Sequence, residues 1–138
     1  MNLRKLFCTA AAAIVCVAPA FAEEAADISI GDLKKAIAAK TVTVIDVNGT
    51  DSYKEGHIPG AIDFAGAKAK LASLLPKEKD ALVVAYCGGP SCGAYKAGVK
   101  AAKDLGYTNI KHLSAGISGW NAAGEKTEKA GDKPANKG

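Results

Sequence analysis

The chain has 138 residues, 49% of them hydrophobic, with 18 Lys and Arg against 14 Asp and Glu and a formal net charge of +4. That length holds one domain with a workable core. Its lysines are spread among acidic residues rather than gathered in a basic stripe with aromatics, which excludes a nucleic-acid-binding surface, and no apolar run reaches the ~20 residues that a membrane span needs.

The first residues read as an export address. Arg4 and Lys5 precede an apolar run over residues 6–17, and Ala20-Phe21-Ala22 puts small residues at the two cleavage-site positions. A signal peptide over residues 1–22, cut after Ala22, and a periplasmic or secreted protein are therefore expected. Val15 before Cys16 argues against a lipoprotein anchor. Cleavage leaves 116 residues with 16 basic and 14 acidic side chains, net +2. It also removes Cys8 and Cys16, so that only Cys87 and Cys92 remain. Two cysteines five apart in one glycine-rich segment are no disulfide framework for a small domain and point to chemistry first.

From residue 27 to about 123, short β-type runs alternate with helical ones, which predicts an α/β domain of parallel strands joined by helices. Residues 28–30 form a short strand, and residues 31–39 a helix with Leu33, Ala36 and Ile37 on one face. The β-branched run over residues 41–47 is a strand, followed by a turn at Asn48-Gly49 and a short helix over residues 51–55 that Gly56 stops. After Pro59-Gly60 come a brief strand over residues 61–64 and a helix over residues 67–75 that ends at Pro76. The uninterrupted apolar run over residues 81–86 marks a central strand covered on both faces. A helix with Ala94, Ala97, Ala101 and Leu105 on one face follows, then a last strand over residues 109–113 and a segment from Ser114 to Trp120 entering a terminal helix. Residues 124–138 carry no large apolar side chain and are expected as a disordered, Lys-rich tail.

The central strand delivers Cys87 into the loop Cys87-Gly88-Gly89-Pro90-Ser91-Cys92-Gly93. Strand, glycine-rich loop and helix together aim backbone N–H groups and the positive end of the helix at whatever sits in the loop. Such a setting favours thiolate over thiol, lowering a cysteine pKa from about 8.5 toward ~3.5–7.5. The carboxyl end of the strands is also the ligand side of an open α/β sheet. The competing reading makes Cys87 an inert, small apolar residue at a strand end.

Three ordered motifs now resemble one family. They are Val44-Ile45-Asp46-Val47 with Tyr53-Lys54-Glu55-Gly56-His57-Ile58-Pro59-Gly60-Ala61-Ile62, then Tyr86-Cys87 with its loop, then Leu113-Ser114-Ala115-Gly116-Ile117-Ser118-Gly119-Trp120. They resemble the N-terminal signature, the active-site loop and the C-terminal signature of rhodanese-like domains. The resemblance implies a three-layer domain over residues 23–123, with a five-stranded parallel sheet and helices on both faces. It implies a sulfurtransferase of thiosulfate or polysulfide type, or a persulfide carrier, with Cys87 as nucleophile and Gly88, Gly89, Pro90, Ser91, Cys92 and Gly93 as the anion-binding loop. The implied partners are a small sulfur-containing donor and a thiol or other nucleophilic acceptor, a protein thiol included, with no cofactor. Asp46 resembles the family's acidic brace at its strand end. The related phosphatases and arsenate reductases have a loop one residue longer that ends in Arg, so phosphate chemistry is disfavoured.

The loop departs from the family pattern in carrying no basic residue. Cys92 stands at the usual Arg position and Gly93 at the hydroxyl position. A lost charge-assisted contact costs about 1.5–3 kcal/mol, a tenfold to hundredfold loss of affinity for dianionic thiosulfate. Lys96, beside Tyr95 and near Ser91, is the candidate to supply part of that contact. Asn48 replaces the usual Arg after Asp46-Val47, which removes that residue's ion pair with Glu55. Cys92 is either a resolving thiol, attacking a Cys87 persulfide to release sulfide and leave a disulfide, or an inert residue under the loop. Two rival functions stay open, a dithiol redox protein using Cys87 and Cys92, and a non-catalytic binding module. His57 reads as a turn residue, His112 has no assigned role, Trp120 closes the core, and no metal site is expected from two cysteines without a second ligand pair.

Overall fold

The computed structural model describes residues 24–132. The expected signal peptide lies outside them. Five strands form one sheet in the order β1-β5-β4-β2-β3, every neighbouring pair parallel. In chain order these are β1 (Ala26–Asp27), α1 (Ile30–Ala38), β2 (Val42–Asp46), α2 (Thr50–Glu55), β3 (Ile62–Asp63), α3 (Phe64–Ala67), a 3-10 turn (Lys68–Lys70), α4 (Leu71–Leu74), β4 (Leu82–Tyr86), α5 (Tyr95–Asp104), β5 (Ile110–Leu113) and α6 (Gly116–Ala122). The α/β class and the five-stranded parallel sheet expected from the sequence are found.

Helices cover both faces because the strands alternate between two cores. Ile45, Val83 and Ala85 point to one, where Phe64, Leu71, Val99 and Ala102 pack against them. Val44, Val84 and Tyr86 point to the other, against Leu33, Ile58, Leu113 and Trp120. That double burial is why the β4 sequence is apolar at successive positions. Ser29 caps α1, its hydroxyl accepting the Asp32 N–H at 3.0 Å.

Three expectations change. The short first strand lies at Ala26–Asp27 rather than over residues 28–30, and Ile30 already begins α1. The helix expected over residues 67–75 breaks into α3, the 3-10 turn and α4. In α5 the buried residues are Gly98, Val99 and Ala102, while Ala94 and Ala97 are exposed. Alanines mark no face of their own, whereas Gly98 lets the helix approach the sheet closely: a Cβ there would lie 3.0 Å from Val47 Cγ2 and 3.2 Å from Ala85 Cβ.

The expected tail is also corrected over residues 124–132, which fold back across the domain. His57 and Glu128 exchange both backbone hydrogen bonds at 2.9 Å, and the Trp120 indole N–H donates to the Lys126 carbonyl at 2.9 Å. Glu128 Oε2 accepts the Gly60 N–H at 3.0 Å, and Lys34 reaches Glu125 at 2.8 Å. Counting apolar residues overlooked that backbone and indole groups can tie down a polar strap. Residues 133–138 lie outside the described residues.

Candidate active site

β4 hydrogen-bonds to β2 and β5 as far as Tyr86, whose carbonyl accepts the Val47 N–H at 2.9 Å. Beyond it the chain leaves the sheet. The Cys87 carbonyl then accepts from Ile117 N–H and the Gly88 carbonyl from Ser118 N–H, each at 2.9 Å. Both donors belong to the first turn of α6, where amides have no partner within the helix. One interaction thus satisfies the start of α6 and draws two loop carbonyls to the back of the loop.

Gly116 makes that contact possible. Its φ is +59°, and a Cβ there would lie 2.5 Å from Gly89 N and 2.6 Å from both Cys87 O and Gly88 C. The loop then turns, with Cys92 N–H donating to Gly89 O at 2.9 Å, and Lys96 N–H reaches Gly93 O at 3.2 Å as α5 begins.

Cys87 and Cys92 are joined in a disulfide, their Cα atoms 6.3 Å apart, within the range of about 4.4–6.8 Å that such a bond spans. The meeting of the two thiols, which the sequence left open, is therefore met by the fold. In this oxidised form Cys87 is only 2% exposed. Cys92 is half-buried. An open depression is lined by Gly88, Gly89, Pro90, Ser91, Cys92 and Ser118, and the buried Cys87 is not part of its wall.

Asp46 and Tyr86 are register partners across β2 and β4, so their side chains meet on the same face. The Tyr86 hydroxyl donates to Asp46 Oδ2, Asn48 N–H donates to Oδ1 at 2.8 Å, and Tyr86 Oη accepts the Ile58 N–H at 3.0 Å. Burial pushes the Asp46 carboxyl above the ordinary carboxylate range, and the bonds from Tyr86 and Asn48 pull it partly back. Burial and the neighbouring Asp46 push the Tyr86 phenol well above its usual value. Asp46 thus ties the β2 end to β4, and Tyr86 extends the tie to the segment carrying Ile58, immediately before the loop. Asn48, Glu55, Gly88, Ile117 and Thr127 line a second, polar cleft behind the loop.

Lys96 is placed differently from the expectation. Its ammonium lies 3.6 Å from Glu24, and it lines a groove with Glu24, Tyr95 and Lys100 rather than the depression of the loop. Both partners of this pair are largely exposed, so solvent and salt screen it. Lys96→Ala is expected to leave the rate of sulfur loading within about twofold of wild type at low salt, read by intact mass against time. A tenfold loss would return Lys96 to the site.

His57 stacks on Tyr53 with ring centroids 3.7 Å apart, and its Nδ1 lies 2.8 Å from the Tyr53 carbonyl. It satisfies local backbone, away from the depression. His112 stacks on Tyr95 and sits 2.7 Å from the Ala25 carbonyl. Among the described residues no cluster of three or more His, Cys, Asp or Glu could hold a metal, and no helix is long and apolar enough to cross a membrane.

The sequence reading missed the part played by Gly116, Ile117 and Ser118 beneath the loop. Their signal was present in the segment from Leu113 to Trp120, which was read as a signature and as core closure without being joined to Cys87.

A parallel sheet whose central strand ends in a cysteine, with a glycine-rich loop held between two helices, defines an α/β domain built around one cysteine-bearing loop. Residues 29–123 match the family model described as rhodanese-like domain, and the chain belongs to that family. Among curated relatives, it is 31% identical over 106 residues to the thiosulfate sulfurtransferase GlpE of Pseudoalteromonas translucida, covering 74% of this chain and 95% of that protein. It is 38% identical over 87 residues to the HTH-type transcriptional regulator Rv0324 of Mycobacterium tuberculosis, covering 62% of this chain but only 37% of that protein. The crystal structure of the BH2092 protein from Bacillus halodurans superposes with a TM-score of 0.65 at 29% identity, over 76% of this chain and 77% of that one.

Proposed function

We propose that this protein is a sulfurtransferase or persulfide carrier of the cell envelope, working through reduced Cys87. The Cys87 thiolate attacks the outer sulfur of a sulfane donor, the donor's S–S bond breaks, and the electron pair leaves on the remainder of the donor. The outer sulfur of the resulting Cys87 persulfide is then taken by a nucleophilic acceptor, such as a small or protein thiol, and Cys87 returns as thiolate. The observation that carries this reading is the position of Cys87 between the carboxyl end of β4 and the amino end of α5, with its own carbonyl and that of Gly88 drawn away to α6. Negative charge on sulfur is favoured at such a place by the helix end and by the scarcity of opposing carbonyls.

The relative named thiosulfate sulfurtransferase supports the reaction class. The loop's lack of Arg and Lys supports a polysulfide or organic persulfide donor over thiosulfate. Placement in the envelope rests on the leader-like residues 1–22.

The test uses the protein first reduced with a thiol. Its alkylation rate against pH is expected to have a midpoint clearly below the ~8.5 of free cysteine. Polysulfide is expected to add one sulfur atom to Cys87, and thiosulfate to do so about tenfold to a hundredfold less efficiently. A midpoint at or above that of free cysteine, together with no sulfur added by either donor, rules the reading out.

A further inference from the structure

The disulfide and the depression above it raise the question of which sulfur an incoming nucleophile meets. Cys87 lies under the loop at 2% exposure. Cys92 is half-buried and forms part of the wall of the depression. Thiol–disulfide exchange depends on access to the attacked sulfur and on how readily the other departs as thiolate. Both conditions select the same bond polarity. Cys92 is the more exposed of the two residues and lines the depression, and Cys87 sits at the strand-to-helix junction where an anion is favoured.

We propose that the oxidised protein has a second activity, the capture of hydrosulfide as sulfane sulfur, with Cys92 as the entry atom. This rests on the persulfide reading of Cys87 and extends it to a further substrate class. Hydrosulfide attacks Cys92 Sγ, a new S–S bond forms, and the Cys87–Cys92 bond breaks with its electron pair leaving on Cys87. The products are a Cys92 hydropersulfide and a Cys87 thiolate, so in this step the Cys87–Cys92 disulfide is the two-electron oxidant of sulfide. The Cys87 thiolate then attacks the outer sulfur of the Cys92 hydropersulfide, which places the sulfane sulfur, still bearing its proton, on Cys87 and leaves Cys92 as thiolate. After transfer to an acceptor the dithiol is reoxidised by exchange with an external disulfide, which is reduced to two thiols. Cys92 is in this scheme both the port of entry and the internal relay, and the absence of a cationic residue from the loop suits a monoanionic substrate.

The experiment uses the mature protein in two states. Air- or disulfide-oxidised protein is exposed to sodium sulfide freed of polysulfide, and the reduced protein receives the same sulfide or, separately, polysulfide. Oxidised protein is expected to gain one sulfur atom per chain from sulfide, and reduced protein to gain none from it. Oxidised protein is also given limiting glutathione, quenched with an alkylating agent and digested with trypsin, and fragmentation of the peptide over residues 80–96 locates the adduct. Glutathione is expected on Cys92, with Cys87 alkylated. Greater exposure of Cys92 and readier departure of Cys87 as thiolate both act in this direction, and roughly a tenfold preference for Cys92 is expected. The proposal is overturned if oxidation yields no Cys87–Cys92 disulfide, if sulfide adds nothing, or if glutathione is found mainly on Cys87. In each of those cases loading of the reduced protein by polysulfide shows whether the persulfide reading itself still stands.

Discussion

Gly116→Ala is expected to destabilise the domain by about 2–5 kcal/mol and to slow sulfur loading on Cys87 by roughly a hundredfold. The stability estimate joins about 1–2 kcal/mol for forcing an L side chain into the left-handed region to about 1–3 kcal/mol for inserting a methyl group into a filled space. That space is occupied by the backbone of the loop itself, with Gly89 N at 2.5 Å and Cys87 O and Gly88 C at 2.6 Å from the new atom. No side-chain rotation relieves such a contact. Either the loop moves, or the first turn of α6 does, and the bonds from Ile117 and Ser118 to the two loop carbonyls lengthen. A displacement of about 1 Å in a reacting group can cost on the order of a hundredfold in rate. Urea denaturation and the rate of persulfide formation read the two effects. Gly116→Asn separates the causes, because Asn tolerates positive φ while carrying the same Cβ: if it behaves as wild type, overlap with the loop is not what confines this position to glycine.

The second large effect is expected for Tyr86→Phe. The ring packs as before, but the Asp46 carboxylate loses its hydroxyl donor and the Ile58 N–H loses its acceptor. Losing a hydrogen bond to a buried charged group while orphaning a buried amide costs about 2–5 kcal/mol. The pH dependence carries the more specific signature. Burial holds the folded-state pKa of Asp46 above that of an ordinary aspartate. A raised carboxyl contributes stability when protonated, and that contribution is lost as pH climbs through the folded-state value. Removing the Tyr86 hydroxyl, which holds the value down, raises it further, so the deficit of Tyr86→Phe is expected to be larger at pH 7 than at pH 5. Denaturation curves at the two pH values decide the matter. A deficit that is equal, or grows on acidification, means that Asp46 is not the group left exposed to the loss.

How far the sequence carried can be judged from these two sites. Apart from the break of one expected helix into α3, the 3-10 turn and α4, the elements from α1 to α6 have a recognisable source in residue order, since β-branched runs, Gly56 and Pro76 mark local conformation that depends on near neighbours. Cys87 at a strand end was legible for the same reason, and the family resemblance supplied the sheet around it. The Tyr86–Asp46 bond was not, because residues forty apart become neighbours only through the parallel register of β2 and β4. Gly116 was visible as a glycine in a motif, yet its importance lies in the atoms it faces in residues 87–89, far back along the chain. Lys96 shows the opposite failure. Closeness to the loop in sequence suggested closeness in space, whereas the side chain reaches the Glu24 side of α5.

The strap over residues 124–132 gives the loop a support that reaches beyond its own helix. The indole of Trp120, in the helix whose first amides hold Cys87 and Gly88, donates to Lys126, and two residues on Glu128 pairs with His57. Fluctuations that open the Cys87 loop from behind must therefore disturb the contacts between the strap and the segment around His57 as well. Amide hydrogen exchange is expected to report this as one cooperative opening, with Ile117, Ser118, Glu128 and His57 exchanging at similar free energy, while solvent-facing amides of α2 exchange sooner.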